Sequence, residues 1–249
     1  MVSSQRIAVI TGSHKGLGRA IARKLAMNTK LRVIITSRKA QDGLLARQQL
    51  AEEGIDVDYF SLDVGSDSSV AQFTKWLTDT YGRVDVLINN AGINPSAQAD
   101  EASMLAARAE TMMETFSTNV LAVQCITQAL VPLMQKNNYG RIVNVSSEMA
   151  SLGLMEQDPY PQAPSYRLSK VGLNALTVMW ARALCGSNVL INAYSPGWMQ
   201  TDMGGANAPL TADEGAETAV YLATLPDGGH QGKFFAEMRK AGGAVALPW

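Results

Sequence analysis

Tyr166 and Lys170 lie one helical turn apart in the run Ser165-Tyr-Arg-Leu-Ser-Lys170. The stretch that follows, Val171 to Leu184, is largely apolar and free of proline, so the pattern predicts a helix. Positions i and i+4 share a helix face, which sets the phenol beside the ammonium. A phenol ordinarily ionises near pH ~10, and a neighbouring cation favours the phenolate. Such a pair can give or take a proton near neutrality, as interconversion of a carbonyl and an alcohol requires. The spacing alone recurs on ordinary helix surfaces, so its weight depends on what positions it.

The positioning elements read as strict alternation. Strand-like runs fall at 6–10, 31–36, 57–61, 84–89, 141–145 and 189–195, with helical patterns at 17–27, 41–53, 68–81, 108–136, 166–184 and 211–224. Val33-Ile-Ile35 and Val86-Leu-Ile88 are continuously apolar, as in strands buried on both faces. Alternation of this kind predicts an α/β fold, a doubly wound parallel sheet flanked by helices on both faces. Thr211-Ala-Asp-Glu214 has the form of a capping box for the last helix. No linker divides the chain, so residues 1–249 are expected to form a single domain.

The first strand runs into Thr11-Gly-Ser-His-Lys-Gly-Leu-Gly18 and then a helix. Gly12, Gly16 and Gly18 permit a sharp turn and close approach of a ligand, and the helix N-terminus offers free amides to a pyrophosphate. Ser13, His14, Lys15 and Leu17 complete the candidate loop. The spacing differs from the Gly-x-Gly-x-x-Gly fingerprint, but its place at the first strand–helix junction points to a dinucleotide. An acidic residue closing the second strand would bind the ribose hydroxyls of NAD. Here Ser37 and Arg38 stand instead, with Lys15 in the loop, and two cations favour the 2′-phosphate of NADP.

The balance of 21 basic and 22 acidic residues, net charge −1, gives no electrostatic footprint for nucleic acid or an anionic membrane. The first residues lead directly into a strand, which argues against a signal peptide and a membrane span; a cytoplasmic protein is expected. Cys125 and Cys185 both fall in apolar helical stretches and are expected as buried free thiols. His14 and His230 pair with no Cys or carboxylate at ligand spacing, so no metal site is indicated.

Taken together, these segments resemble the short-chain dehydrogenase/reductase family nearly end to end, with its single-domain Rossmann-type fold. Gly12 to Gly18 match its cofactor loop. Asp63 and Val64 resemble its adenine-contacting pair, and Asn90, Ala91 and Gly92, in Asn89-Asn-Ala-Gly92, match the motif closing its fourth strand. Asn119, Ser147, Tyr166 and Lys170 fall where the family has its catalytic tetrad. Pro196, Gly197, Trp198 and Thr201 resemble the segment that holds the nicotinamide. The stretches 196–203 and 213–222, Phe234/Phe235 and Trp249 are similar to those of carbonyl reductases. The resemblance implies NADPH-dependent reduction of a small-molecule ketone, aldehyde or quinone, with Tyr166 as proton donor and Ser147 steadying the oxygen. Lys170 would lower the Tyr166 pKa and bind ribose, and Asn119 would hold a relay water. Met149, Trp198 and Tyr160 are the expected substrate-lining residues. An alcohol dehydrogenase running oxidatively uses the same residues, and an NADP-binding sensor is a third alternative.

One departure is the connection from Ser147 to Tyr166, longer than in compact members of the family. Its Pro-rich segment 154–164 is expected to be an ordered loop beside the site, and the resemblance, with an insertion of intermediate length, leaves the oligomeric state open, a monomer or dimer slightly favoured over a tetramer. Glu148, next to Ser147, either faces the cleft and disfavours anions or points to solvent.

Overall fold

The computed structural model describes residues 5–238 and 243–249. The elements in chain order are β1 (Ile7–Ile10), α1 (Gly16–Asn28), β2 (Arg32–Ser37), α2 (Ala40–Glu52), β3 (Asp58–Ser61), α3 (Asp67–Thr80) and β4 (Val86–Asn89). Then come α4 (Ala109–Phe116), α5 (Ala122–Lys136), β5 (Gly140–Val145), α6 (Pro164–Ala183), β6 (Val189–Tyr194), α7 (Ala212–Gly215), α8 (Glu217–Ala223) and β7 (Phe234–Phe235). The seven strands form one sheet in the order β3-β2-β1-β4-β5-β6-β7, every neighbouring pair parallel.

Parallel strands need covering on both sides, and the side-chain alternation of each strand supplies two separate cores. Ala8 and Ile10 of β1 join Val33, Ile35, Val86 and Ile88 under α1 and α8. Ile7 and Val9 join Ile34, Leu87, Ile142 and Ile191 under α3 and α5. Each aliphatic side chain buried in this way contributes about 1.5–3 kcal/mol.

Several expectations meet corrections. β7 has two residues, too short for any alternation to announce it; it pairs with Ala193 and Tyr194 of β6. The helix expected over 108–136 is continuous, but its backbone widens into a π-helix at Ser117–Leu121. This long apolar helix meets the length and hydropathy of a bilayer span. Its Val123, Ile126, Leu130 and Met134 are instead buried in the fold. The last helix carries the expected Thr211–Glu214 capping box but divides into α7 and α8 at Ala216. Cys125 is half-buried, whereas Cys185 lies beyond the end of α6 and is exposed, so the expectation of two buried thiols fails for Cys185.

At the switch point of the sheet, between β1 and β4, the chain leaves in opposite directions and opens a crevice at the strand C-termini. The loop 12–18 follows β1 there, Asn90 to Gly92 follow β4, Ser147 follows β5 and Pro196 follows β6. Just below that edge, a buried amide chain ties β4 and β5 to the helices. Asn89 Nδ2 donates to Asn144 Oδ1 (2.8 Å) and Thr127 Oγ1 (3.3 Å), and Asn144 Nδ2 donates to Thr177 Oγ1 (2.9 Å). Breaking such a network leaves a buried polar group unanswered. Asn144→Ala is expected to cost about 2 kcal/mol, read as a thermal midpoint lowered by about 4–8 °C for a chain of this size.

Candidate active site

The loop after β1 is shaped by its neighbours before any ligand is considered. Thr11 Oγ1 accepts from Asn90 N and Ala91 N, both at 3.0 Å, and Asn90 Nδ2 donates to the carbonyls of Thr11 and Gly12. Ser13 is fully buried; its hydroxyl donates to Ile10 O (2.8 Å) and accepts from Thr36 N (2.9 Å). The side chains of Ser13 and Asn90 are thus spent on the loop itself. Gly12 takes a φ of +61°, and a Cβ there would meet Ala91 Cα at 3.0 Å. Gly16 takes a φ of +53°, where a Cβ would sit in ordinary contact with the Thr201 methyl at 3.5 Å, and a Cβ on Gly18 would strike Asn90 Nδ2 at 2.5 Å.

Charges ring this crevice unevenly. Lys15 Nζ meets Asp202 Oδ2 at 2.7 Å in an exposed ion pair spanning the loop and the segment after β6. The Arg38 side chain, exposed at the end of β2, makes no hydrogen bond or ion pair among the described residues. The His14 pKa is lowered by burial and by Lys15, and its Nδ1 is buried with no partner among the described residues. Asp63 Oδ1 caps Gly65 N (3.0 Å), and Val64 packs on the core beneath. Gly197, φ +76°, turns the chain after Pro196. Trp198, half exposed, donates from Nε1 to Gly204 O (2.7 Å).

Tyr166, Lys170, Ser147 and Asn119 converge beyond the loop. The Ser147 hydroxyl accepts from Met149 N (3.2 Å) and lies near enough to the Tyr166 phenol to act against the rise of its pKa. Lys170 Nζ lies 5.7 Å from the Tyr166 ring centre and donates to Val145 O at 2.8 Å. Asn119 sits in the π-helical turn, where Oδ1 accepts from Ile93 N and Nδ2 donates to Ile93 O and Ser169 Oγ, all at 2.9 Å. A Cβ on Gly92 would come within 2.9 Å of Asn119 Oδ1 and 3.7 Å of Lys170 Nζ, so a side chain there would crowd Asn119.

Their protonation departs from the expectation that Lys170 lowers the phenol pKa. Burial pushes Tyr166 up to about 12, opposed by the nearby Ser147 hydroxyl. Burial also draws Lys170 down to about 8. Both groups have lost their water, and desolvation disfavours phenolate and ammonium alike. The ammonium spends its visible hydrogen bond on a carbonyl rather than on the phenol.

The connection from Ser147 to Tyr166 is ordered against α6. Tyr160 donates its hydroxyl to Glu148 Oε2 (3.0 Å), and burial followed by Glu148 pushes its pKa up to about 12. Glu148 is therefore half-buried and held by Tyr160 rather than pointing loosely to solvent. Its carboxylate carries this one hydrogen bond and no ion pair among the described residues. Met149, half-buried, follows it in a short 3-10 turn.

Two contributors escaped the sequence reading. Glu101, buried at 1% exposure, accepts from Ser165 N (3.0 Å) and Ser165 Oγ and so anchors the first turn of α6. Arg167 fastens the long connection to that helix, through a paired carboxylate at Asp158. Glu101 lies in an irregular run that carries no motif. Arg167 carries no motif of its own, and only its place beside Tyr166 could have drawn notice.

Comparison with known proteins agrees with this geometry. Residues 6–210 match the short chain dehydrogenase family. The whole chain aligns at 32% identity with 99% of carbonyl reductase [NADPH] 1 of Sus scrofa. Carbonyl reductase [NADPH] 3 of Mus musculus is 33% identical over 91% of this chain and 93% of its own. The NADPH-bound carbonyl reductase from chicken fatty liver superposes with a TM-score of 0.84 at 26% identity, covering 98% of this chain and 99% of that one. Salutaridine reductase from Papaver somniferum gives 0.79 at 27%, covering 92% and 99%. The protein belongs to the short-chain dehydrogenase family. Within it, the chain is similar to the carbonyl reductases.

The buried lysine generates a stability prediction. Its folded-state pKa lies below the ordinary 10.5, so its charged form is penalised in full below about pH 8, and the penalty fades as pH rises toward the unfolded value. Lys170→Met is therefore expected to stabilise the fold at pH 7 by an amount on the order of 2 kcal/mol. Calorimetry should find the gain shrinking between pH 8 and 10.

Proposed function

We propose that the protein reduces a ketone, aldehyde or quinone to the alcohol with NADPH, through Asn119, Ser147, Tyr166 and Lys170. One observation carries this reading: the buried Tyr166 phenol, with the Ser147 hydroxyl near it, stands one helical turn from the buried Lys170 at the C-terminal edge of the sheet.

The crevice fits a dinucleotide. Gly12 and Gly16 leave the loop backbone open to a pyrophosphate, and His14 Nδ1 is a buried atom in that loop without a partner among the described residues. Arg38, the unpaired cation at the end of β2, would take the 2′-phosphate, with Lys15 alongside. Asp63 and Val64 would flank the adenine, and Ala91, Gly92, Pro196, Gly197, Trp198 and Thr201 would line the nicotinamide side. When bound, NADPH supplies a hydride.

The protein's own part is the proton and the placement of the oxygen. Tyr166 donates to the carbonyl oxygen as negative charge grows on it, and the Ser147 hydroxyl steadies that charge. The Lys170 ammonium lends a positive field to the phenolate left behind, and Asn119 holds the turn through which a water reaches it. A phenol with its pKa pushed up is held in the protonated form from which reduction starts, whereas oxidation starts from the phenolate, which burial disfavours. Met149, Trp198 and Tyr160 would line the substrate side. Glu148, a carboxylate without an ion pair beside Ser147, favours neutral carbonyls over keto acids.

The first test follows NADPH absorbance against neutral ketones, aldehydes, quinones and keto acids. Tyr166→Phe is expected to lower turnover about 10²–10⁴-fold while leaving NADPH affinity intact. Comparable turnover in mutant and wild type would refute the assignment. Arg38→Ala is expected to raise the NADPH KM about tenfold or more, the loss of a charge-assisted contact, with the NADH KM nearly unchanged. An equal effect on both cofactors would sink the 2′-phosphate role.

A further inference from the structure

One guanidinium bolts the whole Ser147–Tyr166 connection to the helix that carries Tyr166. Arg167 Nη1 meets Asp158 Oδ2 at 2.6 Å and Arg167 Nη2 meets Asp158 Oδ1 at 2.7 Å, a two-pronged pair whose side chains are 10% and 7% exposed. The remaining donor capacity goes to backbone carbonyls at both ends of the connection. Arg167 Nη1 donates to Met149 O (3.2 Å), Nη2 to Tyr160 O (3.3 Å) and Pro161 O (2.9 Å), and Nε to Pro161 O (3.1 Å). Asp158 Oδ1 also accepts from Tyr160 N (3.1 Å). The hub thus reaches the backbone of both substrate-lining candidates on this connection, Met149 and Tyr160.

The segment it holds does not lie in a relaxed conformation. Ala163, buried and directly before Pro164, takes φ 37° and ψ 57°, the left-handed region that disfavours a residue with a Cβ. Strain of this kind persists only where surrounding contacts over-determine the backbone. Arg167 on one side, and Glu101 gripping Ser165 on the other, supply them.

A buried ion pair is a poor explanation for stability, since well-packed apolar residues often do as well. What a planar fork with five donors provides is fixed geometry. We propose that Arg167 is a positioning residue: it holds Met149 and Tyr160 as a rigid wall in register with Ser147 and Tyr166, and so sets which carbonyl compounds the site accepts. The inference rests on the carbonyl-reduction reading above. A rigid wall discriminates by shape, and a loosened one admits small substrates while losing grip on large ones.

The test pairs kinetics with hydrogen exchange, in wild type, Arg167→Met and Arg167→Lys. Substrates are a bulky aromatic ketone and a small aliphatic diketone at saturating NADPH. In Arg167→Met the ratio of kcat/KM for bulky over small is expected to fall about tenfold, the scale of one misfitted methylene or more. The loss should be carried by the KM of the bulky ketone, with the NADPH Kd held. Amides of residues 149–161 should exchange faster while those of α6 keep their protection. Arg167→Lys, with its charge but no fork, should restore little of the ratio. Unchanged exchange over 149–161, or an equal loss on both substrates carried by kcat, would overturn the proposal. If Arg167→Met does not fold, Arg167→Met/Asp158→Leu removes both charges together and is read by the same criteria. Should wild type reduce neither compound, the carbonyl-reduction reading falls, and the exchange arm still decides whether Arg167 fixes the wall.

Discussion

A lysine ammonium inside a protein is the condition around which the rest of this site is arranged. Lys170 is 6% exposed, and the interior gives it few ways to carry charge. The carbonyl of Val145 must turn toward it at the end of β5, and Gly92 must lack a side chain so that Asn119 can come close. Asn119 in turn reaches that place because the helix between α4 and α5 opens by one wider turn, a feature that recurs at functional sites. The desolvation that makes the cation costly also keeps the phenol of Tyr166 a proton donor.

Much of this was legible in the sequence because it is written in short-range terms. The β-branched runs, the glycines at fixed offsets after β1, the capping box at Thr211 and the Tyr-Lys spacing each need only a few neighbouring residues. Predicted and observed elements accordingly agree to within a residue or two at most ends. The π-helical turn was not legible, since it adds no unusual residue to an apolar helix and is set by the contact of Asn119 with Ile93. Glu101 and Arg167 escaped for the same reason: their partners lie in separate segments, and no local pattern announces a buried carboxylate under a helix N-terminus.

The protonation of Tyr166 shows a different limit. Chain spacing foretold that a cation would stand near the phenol, and it does, but proximity was only one of the competing effects. Burial acts on both groups at once, and its sign on each is to disfavour charge. Likewise Ser13 and Asn90 lie in the expected motifs, yet their side chains serve the loop's own shape. A motif fixes where residues gather; which atoms remain available is settled by the hydrogen bonds they make with one another.

The two-core construction of the sheet has a consequence for how the chain can change in length. Alternate residues of β1, β2 and β4 feed different cores, so inserting or deleting one residue in a strand would exchange the two sets of side chains at once. Gains and losses of residues are therefore confined to the connections at the strand ends. The C-terminal edge of the sheet can lengthen or shorten while the scaffold below keeps its register. A change of specificity in this architecture comes most readily by editing loop length, and the segment between Ser147 and Tyr166 is where such an edit meets the chemistry directly.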